Sequence, residues 1–339
     1  MDMQIWNLHG ARDLRLETVA LPVPGKGQAL VRVERTGICG SDLHYFMHGR
    51  CGCFIPKNPF ALGHEFSGTI EAVGEDVHRE IGERVAVDPL QPCCSCSFCL
   101  TGRYNLCPNR KYIGSASTIP HQNGAFGQFV VVKSENCLEL DDRISFEEGA
   151  MLEPLSVALH ALKQSGGVTG RRVLISGGGP IGQLIALAAR AWGALEVTMS
   201  DPRSFPQNYA LQHGADRSID PTDGTPADID FDIVIEASGT APALKSAFEW
   251  VRRGGTIVQV GTLPDQVELP ANLIMAKELT IRGSIYSLNT FALGMEMIAS
   301  GRINVMPLVT ASVPFENLPE ALALAESKGE HMKIQVMYS

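Results

Sequence analysis

The second half of the chain alternates between continuous apolar runs and stretches with helical periodicity. The apolar runs lie at residues 173–176, 195–200, 231–239, 254–261 and 279–284. Runs of this length, bounded by turn residues, are typical of strands that are buried on both faces. Apolar stretches with a helical pattern separate them, for example at 241–252. The alternation predicts an α/β fold with a doubly wound parallel sheet.

The first 150 residues show a different pattern. Short β-rich runs at 29–37, 66–74, 83–89 and 127–140 are interrupted by Gly, Pro and Asp. They predict a compact, mostly β domain. From about residue 290 helical patterns return, and we expect this part to pack back on the first domain. The predicted domains are therefore 1–155 with 290–339, and 156–289, with the active site in the cleft between them.

A glycine motif follows the first apolar run of the second domain. Gly177, Gly179 and Gly182 form G-x-G-x-x-G between the strand 173–176 and an Ala-rich helix that is predicted to end near Trp192. In this context the glycines let the backbone approach a pyrophosphate at the helix N-terminus. The strand, the motif, the helix and the next strand together predict a dinucleotide site.

NAD is the cofactor that the motif favours. Asp201, at the end of the second strand, can bind both ribose hydroxyls and repels a 2′-phosphate, whereas Arg203 leaves NADP open. Residues at the ends of the later strands are expected to line the nicotinamide side. The complete predicted cofactor site is Gly177, Gly179, Pro180, Ile181, Gly182, Asp201, Arg203, Ser238, Gly261 and Ser284.

Composition narrows the classes of partner. The formal net charge is −9 and there is no basic cluster, which argues against nucleic acid. No run approaches the roughly 18 apolar residues that span a bilayer, so no membrane partner is expected. The N-terminus does not resemble a signal peptide, and we expect a cytoplasmic protein. In that compartment clustered cysteines bind metal more often than they form disulfides.

Five of the nine cysteines lie within one segment, residues 91–107. Cys93, Cys96, Cys99 and Cys107 have the spacing C-x2-C-x2-C-x7-C, which suits the closed four-thiolate site of structural zinc. The alternative is a set of unrelated buried cysteines. A nucleobase deaminase also carries P-C-x-x-C, but the nearby His-Glu pair has the wrong spacing for its H-x-E partner. The segment is therefore predicted to be a structural zinc lobe.

A second metal site is suggested by residues far apart in the sequence. Cys39, His64 and Glu153 offer one sulfur, one nitrogen and one oxygen ligand. Three protein ligands with a vacancy describe catalytic zinc. A lone cysteine in a β-rich segment is, however, usually a small buried hydrophobe. Spacing alone leaves both interpretations open.

The order of these motifs resembles the zinc-dependent medium-chain dehydrogenases over essentially the whole chain. The resemblance is carried by CGSD from Cys39, GHE ending at Glu65, the four-cysteine segment, EPL from Glu153 and the glycine motif. The presence of glutamate rather than cysteine at position 153 resembles the polyol branch of this family, typified by sorbitol dehydrogenase. The stretches 37–46 and 114–126 are most similar to L-idonate 5-dehydrogenases.

This resemblance implies a GroES-like catalytic domain and a Rossmann NAD-binding domain, two zinc ions per chain, and a homodimer or homotetramer. It implies oxidation of a secondary alcohol of a sugar acid or polyol to a ketone with NAD(P). L-idonate, oxidised to 5-dehydro-gluconate, is the expected substrate. Sorbitol, xylitol and galactitol are the alternatives.

The resemblance also implies roles for single residues. The ligands implied for the catalytic zinc are Cys39, His64, Glu153 and, occasionally or indirectly, Glu65. Ser41 and His44 are expected to relay a proton, with Glu65 counted among the catalytic residues. The residues expected to contact the substrate are Tyr45, Glu153 and Tyr286.

One position departs from the polyol branch, whose members commonly carry arginine where this chain has Tyr286. Arg50 is an alternative anion partner, although a solvated loop arginine is the simpler interpretation. Two rival classes share the fold: zinc-free NADPH-dependent reductases of quinones or enals, and nucleotide-binding stress or lens proteins without activity. The candidate zinc ligands argue against both rivals, and Asp201 argues against NADPH.

Overall fold

The elements below come from a computed structural model that describes residues 1–224, 230–327 and 330–338. The strands are β1 (Asp2–Gly10), β2 (Asp13–Ala20), β3 (Gln28–Gly37), β4 (Phe60–Ala61), β5 (Glu65–Val73), β6 (Arg84–Val87), β7 (Leu90–Gln91), β8 (Lys111–Tyr112), β9 (Phe129–Lys133), β10 (Cys137–Glu139), β11 (Arg172–Ser176), β12 (Glu196–Ser200), β13 (Arg217–Ile219), β14 (Phe231–Glu236), β15 (Val251–Gln259), β16 (Thr280–Gly283), β17 (Val309–Pro314) and β18 (Lys333–Met337). The helices are α1 (Gly40–His48), α2 (Ser97–Leu100), α3 (Phe146–Ala150), α4 (Leu152–Gln164), α5 (Pro180–Ala191), α6 (Ser204–His213), α7 (Ala241–Trp250), α8 (Asn272–Ala276), α9 (Phe291–Ala299) and α10 (Leu318–Glu326).

The chain divides into two compact units. The first comprises Met1–Glu153, Phe291–Ala299 and Val309–Ser339, and the second comprises Pro154–Thr290 and Ser300–Leu308. In this division Pro154, Leu155, Thr290 and Ser300–Leu308 group with the second unit, whereas the predicted first domain contains 1–155 and 290–339.

The first unit is built mainly from antiparallel strands. Its largest sheet has the order β10-β6-β5-β3-β18-β17, and β9 also pairs with β3. β3 and β5 pair as far as Gly37 and Glu65, so the start of β5 lies beside the end of β3. On the other side of β3, Gln335 of β18 is opposite Gly37. Three segments that are distant in sequence therefore meet where β3 ends.

Buried apolar side chains pack against this sheet. One buried cluster contains Ala29, Val31 and Val33 of β3, whose alternate positions face it, together with Phe66 and Ile70 of β5. Strand alternation explains the selection, because successive side chains point to opposite faces. A second buried cluster joins Trp6, Leu8, Tyr45, Phe60 and Phe315. The two clusters fix the frame on which the end of β3 is held.

The second unit contains one parallel sheet with the order β13-β12-β11-β14-β15-β16. The order reverses beside β11, as in a doubly wound Rossmann sheet, and ligands of such sheets bind at the carboxyl ends of the strands near that point. Val173, Leu174 and Ile175 of β11 are all almost completely buried. The predicted fold class, with a parallel sheet in the second domain, is confirmed.

Helix boundaries in the second unit follow ordinary capping rules. α5 begins with Pro180 at its first position and has Gly179 as N-cap. Proline suits this position because the first N–H groups of a helix lack intrahelical partners. The helix ends at Ala191, one residue before the predicted end. Across the three described ranges, none of the helices has the length and apolar character needed to cross a membrane.

Candidate active site

Asp42 organises the first ligand segment. Cys39 is the N-cap of α1, and its backbone N–H donates to Oδ2 of Asp42 at 2.9 Å. The other carboxylate oxygen, Oδ1, accepts from the backbone N–H of Gly63 at 3.1 Å and lies 3.6 Å from Nδ1 of His64. Asp42 is itself completely buried. One carboxylate thus ties together the backbone segments that carry Cys39 and His64.

The carboxylate of Asp42 also affects the pKa of the His64 imidazole. Burial lowers the pKa of His64, but Asp42 and Cys39 outweigh that effect and raise the pKa well above its ordinary value. A carboxylate behind an imidazole is the arrangement that orients metal-bound histidines. Asp42 is the third residue of α1, and its carboxylate caps the N-terminus of that helix. Its contact with His64 depends on a fold that brings α1 next to the start of β5.

Glu65 lies next to His64, at the first position of β5. Both carboxylate oxygens accept hydrogen bonds from Nζ of Lys333, at 2.8 and 2.6 Å. The two side chains are only 1% and 2% exposed. Burial lowers the pKa of Lys333, and the carboxylate of Glu65 more than compensates, so that the pKa is raised. Lys333 was not predicted, because its position 268 residues from Glu65 leaves no local signal.

Cys39, His64 and Glu65 form a group that fits a metal ion. One ligand atom from each residue lies within 4.8 Å of the others. A thiolate, an imidazole and a carboxylate are all ligands of zinc, and three of them leave a fourth position for substrate. The set differs from the predicted one, because Glu65 stands in the group where Glu153 was expected.

Glu153 lies beside this group, in the first turn of α4. Its Oε1 accepts a hydrogen bond of 2.8 Å from the hydroxyl of Tyr112. Burial raises the pKa of Glu153 to about 7, with His64 lowering and Glu65 raising it. The ring of Tyr112 is 5.5 Å from that of His64, centroid to centroid. Tyr112 was not predicted, and its contact with the site is visible only in the fold.

The four cysteines of the predicted lobe converge. Cys96 is the N-cap of the short helix α2, and the sulfur atoms of Cys93, Cys96, Cys99 and Cys107 lie within 4.8 Å of one another. The backbone N–H and the hydroxyl of Ser95 lower the pKa of Cys93 to about 5, which favours the thiolate that zinc binds. Cys94 is exposed and lies outside the group. The geometry fits a closed tetrahedral zinc site.

The glycine motif forms the turn between β11 and α5. A Cβ on Gly182 would lie 1.9 Å from the carbonyl oxygen of Gly177, which explains the glycine at this position. A Cβ on Gly179 would meet no protein atom within 4 Å. Open space above a helix N-terminus is what a bound pyrophosphate needs. Pro180 and Ile181 form the first turn of the helix.

Asp201 follows β12 and faces the same turn. Its Oδ2 accepts the backbone N–H of Gly178 at 2.9 Å, and it is 5% exposed. Arg203 donates from Nε to Oδ1 of Asp201 at 3.0 Å and from Nη2 to Oδ2 at 3.2 Å. The acid that can bind ribose hydroxyls is therefore placed at the glycine turn, with an arginine paired to it.

Two family models match consecutive parts of the chain. The model of an alcohol dehydrogenase GroES-like domain matches residues 25–142, and that of a zinc-binding dehydrogenase matches residues 180–300. Sorbitol dehydrogenase of Gallus gallus is 38% identical over 340 residues, covering 97% of this chain and 94% of the relative. The chain belongs to the zinc-dependent medium-chain dehydrogenases. It is a member of their sorbitol dehydrogenase-like branch, an alcohol or polyol dehydrogenase that uses zinc and NAD(P).

Two solved structures extend the comparison for this dehydrogenase. L-idonate 5-dehydrogenase from Escherichia coli K-12 MG1655 is 33% identical, with a TM-score of 0.93, and covers 99% of this chain and 98% of that one. A zinc-binding dehydrogenase from Sinorhizobium meliloti 1021 bound to NADP is 30% identical, with a TM-score of 0.90 and 99% coverage of both chains. The predicted enzyme class and the cofactors zinc and NAD(P) are confirmed.

The remaining predicted residues of the dehydrogenase differ in their surroundings. Ser41 and His44 lie one turn apart on α1, where residues three apart share a face, and His44 is exposed. Tyr45 is 2% exposed within the apolar core, and its hydroxyl oxygen accepts the backbone N–H of Ala116 at 3.2 Å. This placement gives Tyr45 a packing role in the first unit.

The nicotinamide-side predictions fall at neighbouring strand ends. Ser238, Gly261 and Ser284 follow β14, β15 and β16, which are consecutive in the parallel sheet. Oε1 of Glu236 accepts from the backbone N–H groups of Ser238 and Gly239, both at 2.8 Å, and from the Ser238 hydroxyl at 2.6 Å. This buried glutamate, which the sequence analysis did not select, shapes the loop. Tyr286, beyond β16, has a left-handed backbone conformation with φ of 56°.

Proposed function

We propose that this dehydrogenase oxidises the C5 hydroxyl of L-idonate to a ketone, with NAD as hydride acceptor. The similarity to the L-idonate enzyme of Escherichia coli, over almost the full length of both chains, carries the choice of substrate. The Cys39–His64–Glu65 group supports the reaction class, because oxidation of an alcohol needs a site that favours loss of its proton.

The chain's own residues divide the work. Cys39, His64 and Glu65 would hold zinc, which when bound lowers the pKa of the substrate hydroxyl. Glu153, held by Tyr112, can accept a hydrogen bond from that hydroxyl, and its pKa of about 7 suits proton sharing near neutral pH. Ser41 and His44 would carry the proton onward. The hydride chemistry belongs to the cofactor.

A neutral polyol such as sorbitol is the second candidate. The buried cation next to the ligand group, Lys333, already donates to three oxygens, so it has no proton left for a substrate carboxylate. The identity to sorbitol dehydrogenase also favours this candidate.

A substrate panel separates the two candidates. Initial rates with L-idonate, sorbitol, xylitol and galactitol are measured by absorbance of the reduced cofactor. We expect kcat/KM for L-idonate to exceed that for each polyol by about tenfold or more, which is the scale of the net free energy of one hydrogen bond. A polyol with the higher kcat/KM would replace L-idonate as the substrate.

The metal assignment has its own variant. Cys39→Ser is expected to abolish turnover with every substrate while NADH still binds, because the cofactor site lies in the second unit. Cys94→Ser is the matched control, since Cys94 is exposed and outside both cysteine groups. Normal turnover of a zinc-free Cys39→Ser variant would contradict the proposed function.

NAD rather than NADP is proposed from Asp201. Its carboxylate lies at the glycine turn and would repel a 2′-phosphate, although Arg203 partly neutralises it. We expect kcat/KM to be higher with NAD, and Asp201→Asn to narrow the difference. A wild-type preference for NADP would assign the site to Arg203 instead.

We also propose that the dehydrogenase is a homo-oligomer that associates through β16. This strand is at the edge of the parallel sheet, and all four of its residues are exposed. Exposed edge strands are generally covered or paired, because their free N–H and C=O groups recruit further strands. A second copy of β16 offers such a partner.

A further inference from the structure

We propose that Lys333 is a positioning residue of the metal site, which holds the carboxylate of Glu65 and limits how strongly it binds zinc. The inference depends on the proposed function in one respect, that Cys39, His64 and Glu65 are the ligands of the catalytic zinc. It assigns a role to the C-terminal strand β18, which carries none of those ligands.

The geometry of the ammonium group is the first support. Nζ of Lys333 donates to both oxygens of Glu65, at 2.8 and 2.6 Å, and to the backbone carbonyl of Ile38 at 3.1 Å. An ammonium group has three donors, so every proton is used. Ile38 directly precedes Cys39. One cation therefore holds the backbone before one proposed ligand and the carboxylate of another.

The surrounding backbone is built around this pair. The N–H of Ile38 donates to the carbonyl of Ile334 at 3.0 Å, which sets β18 against the end of β3. A Cβ on Gly37 would lie 2.2 Å from Oε2 of Glu65, so glycine is needed there to leave room for the carboxylate. Gly37 and Lys333, which are distant in sequence, thus both help to place the side chain of Glu65.

Stability alone does not explain a buried ion pair. Replacing such a pair by apolar residues is often neutral or stabilising, whereas removal of one partner leaves a costly unpaired charge. Without Lys333, the carboxylate of Glu65 would have zinc as its remaining cation. Removal of Lys333 would then destabilise the metal-free protein more than the zinc-bound protein, and binding of zinc would restore the lost stability. By linkage, the folded variant must then bind zinc more tightly.

The consequence for catalysis has a definite sign. A carboxylate shared with Lys333 donates less charge to a bound metal than an unshared one, so the metal polarises the substrate hydroxyl more strongly. Lys333→Met should therefore tighten zinc binding and slow turnover at the same time. A purely structural lysine predicts the opposite for zinc, namely weaker or unchanged binding.

The test measures zinc affinity as well as activity. Zinc dissociation from purified protein is followed by competition with a chromogenic chelator for wild type, Lys333→Met and the charge-retaining Lys333→Arg. We expect Lys333→Met to bind the catalytic zinc about tenfold tighter, given the cost of an unpaired buried charge. Its kcat should fall while NADH affinity is unchanged, and Lys333→Arg should remain close to wild type. Unchanged or weaker zinc binding by Lys333→Met would overturn the inference.

A double variant keeps the test valid if Lys333→Met does not fold. Glu65→Gln/Lys333→Met removes both charges and leaves no unpaired ion. Its zinc affinity should be lower than that of wild type, because Lys333 acts through a carboxylate that is no longer present; zinc binding tighter than in wild type would show that Lys333 acts without Glu65 and would refute this coupling. Retention of catalytic zinc by Cys39→Ser would instead refute the ligand assignment and the proposed function with it.

Discussion

Three buried carboxylates near the metal group are stabilised in three different ways. Asp42 accepts hydrogen bonds from the backbone N–H groups of Cys39 and Gly63. Glu65 accepts hydrogen bonds from the ammonium group of Lys333. Glu153 accepts a hydrogen bond from the hydroxyl of Tyr112. A buried carboxylate is costly unless it is hydrogen-bonded or paired with a cation. The three carboxylates therefore differ in what compensates their burial: backbone N–H groups for Asp42, a buried ammonium for Glu65 and a phenol hydroxyl for Glu153.

Asp88 is a carboxylate of the first unit whose burial is less fully compensated by hydrogen bonds. Burial raises its pKa to about 6, opposed by the backbone N–H of Leu90. Because the folded state then binds more protons than the unfolded state, this group's contribution to stability falls as pH rises from about 4 to about 6. Asp88→Asn should raise the free energy of unfolding by about 1–2 kcal/mol at pH 7.5, and by less at pH 5.

The measurement is thermal unfolding of wild type and variant at the two pH values. Asp141→Asn is a control of opposite sign, because the side chain of Arg143 holds the pKa of Asp141 below its usual range. That group contributes stability above its unfolded pKa, and the contribution is lost as pH falls. Asp141→Asn should therefore give no stabilisation at pH 7.5. An Asp88→Asn variant that is less stable than wild type at pH 7.5 would contradict the expected cost of burial.

Residues were predictable from the sequence when their partners were close along the chain. The four cysteines occupy one short segment, so their spacing alone indicated a metal site. Lys333 and Tyr112 were missed because their carboxylate partners are 268 and 41 residues away. Glu65 was expected as an occasional or indirect ligand and as a catalytic residue. Its contact with Lys333 was not predicted, because it is created by the pairing of β3 with both β5 and β18.

At the scale of elements, the turn between β11 and α5 separates two uses of glycine. Gly182→Ala places a Cβ 1.9 Å from a backbone oxygen, so the turn must shift. We expect a lower melting temperature and loss of NADH binding. Gly179→Ala meets no protein atom within 4 Å, so its melting temperature should match wild type while NADH binding weakens. Fluorescence titration measures the NADH affinity, and thermal unfolding measures the melting temperature. Normal NADH affinity of Gly179→Ala would show that the pyrophosphate does not bind beside Gly179.

The four-cysteine lobe is a second element whose stability can be tested. Its helix α2 spans only Ser97–Leu100 and has no buried residue, so apolar packing holds it little. Cys96→Ser should lower zinc from about two ions to about one per chain and lower the melting temperature. Cys94→Ser should change neither. A Cys96→Ser variant with unchanged zinc content by metal analysis would contradict a structural site.

Element types in the second unit followed from composition more directly than those in the first. Continuous apolar runs such as Phe231–Glu236 form strands because parallel sheets are covered on both faces. In the first unit, β18 pairs with β3 across nearly the whole sequence, and no local pattern specifies that neighbour. The predicted strands at 66–74 and 83–89 correspond to β5 and β6, whereas their order in the sheet depends on tertiary packing.

At the scale of the whole molecule, the exposed edge strand β16 makes the state of association testable. Ile281 is 42% exposed there, and Met275 and Ile285 on either side are 76% and 44% exposed. Two copies related by a two-fold axis would pair this edge with itself and cover these side chains. Ile281→Glu would place like charges near each other at the junction and leave the interior of the sheet unchanged, so it should shift the assembly towards monomer.

Light scattering after size exclusion gives the mass of each variant directly. Ile81→Glu is the matched control, because Ile81 is 70% exposed and belongs to the first unit, whereas β16 belongs to the second. It adds the same charge to an isoleucine that is more exposed than Ile281, so it should retain the mass of wild type. If Ile281→Glu also retained that mass, β16 would not be the interface, since a carboxylate cannot be buried against its own copy without a cation.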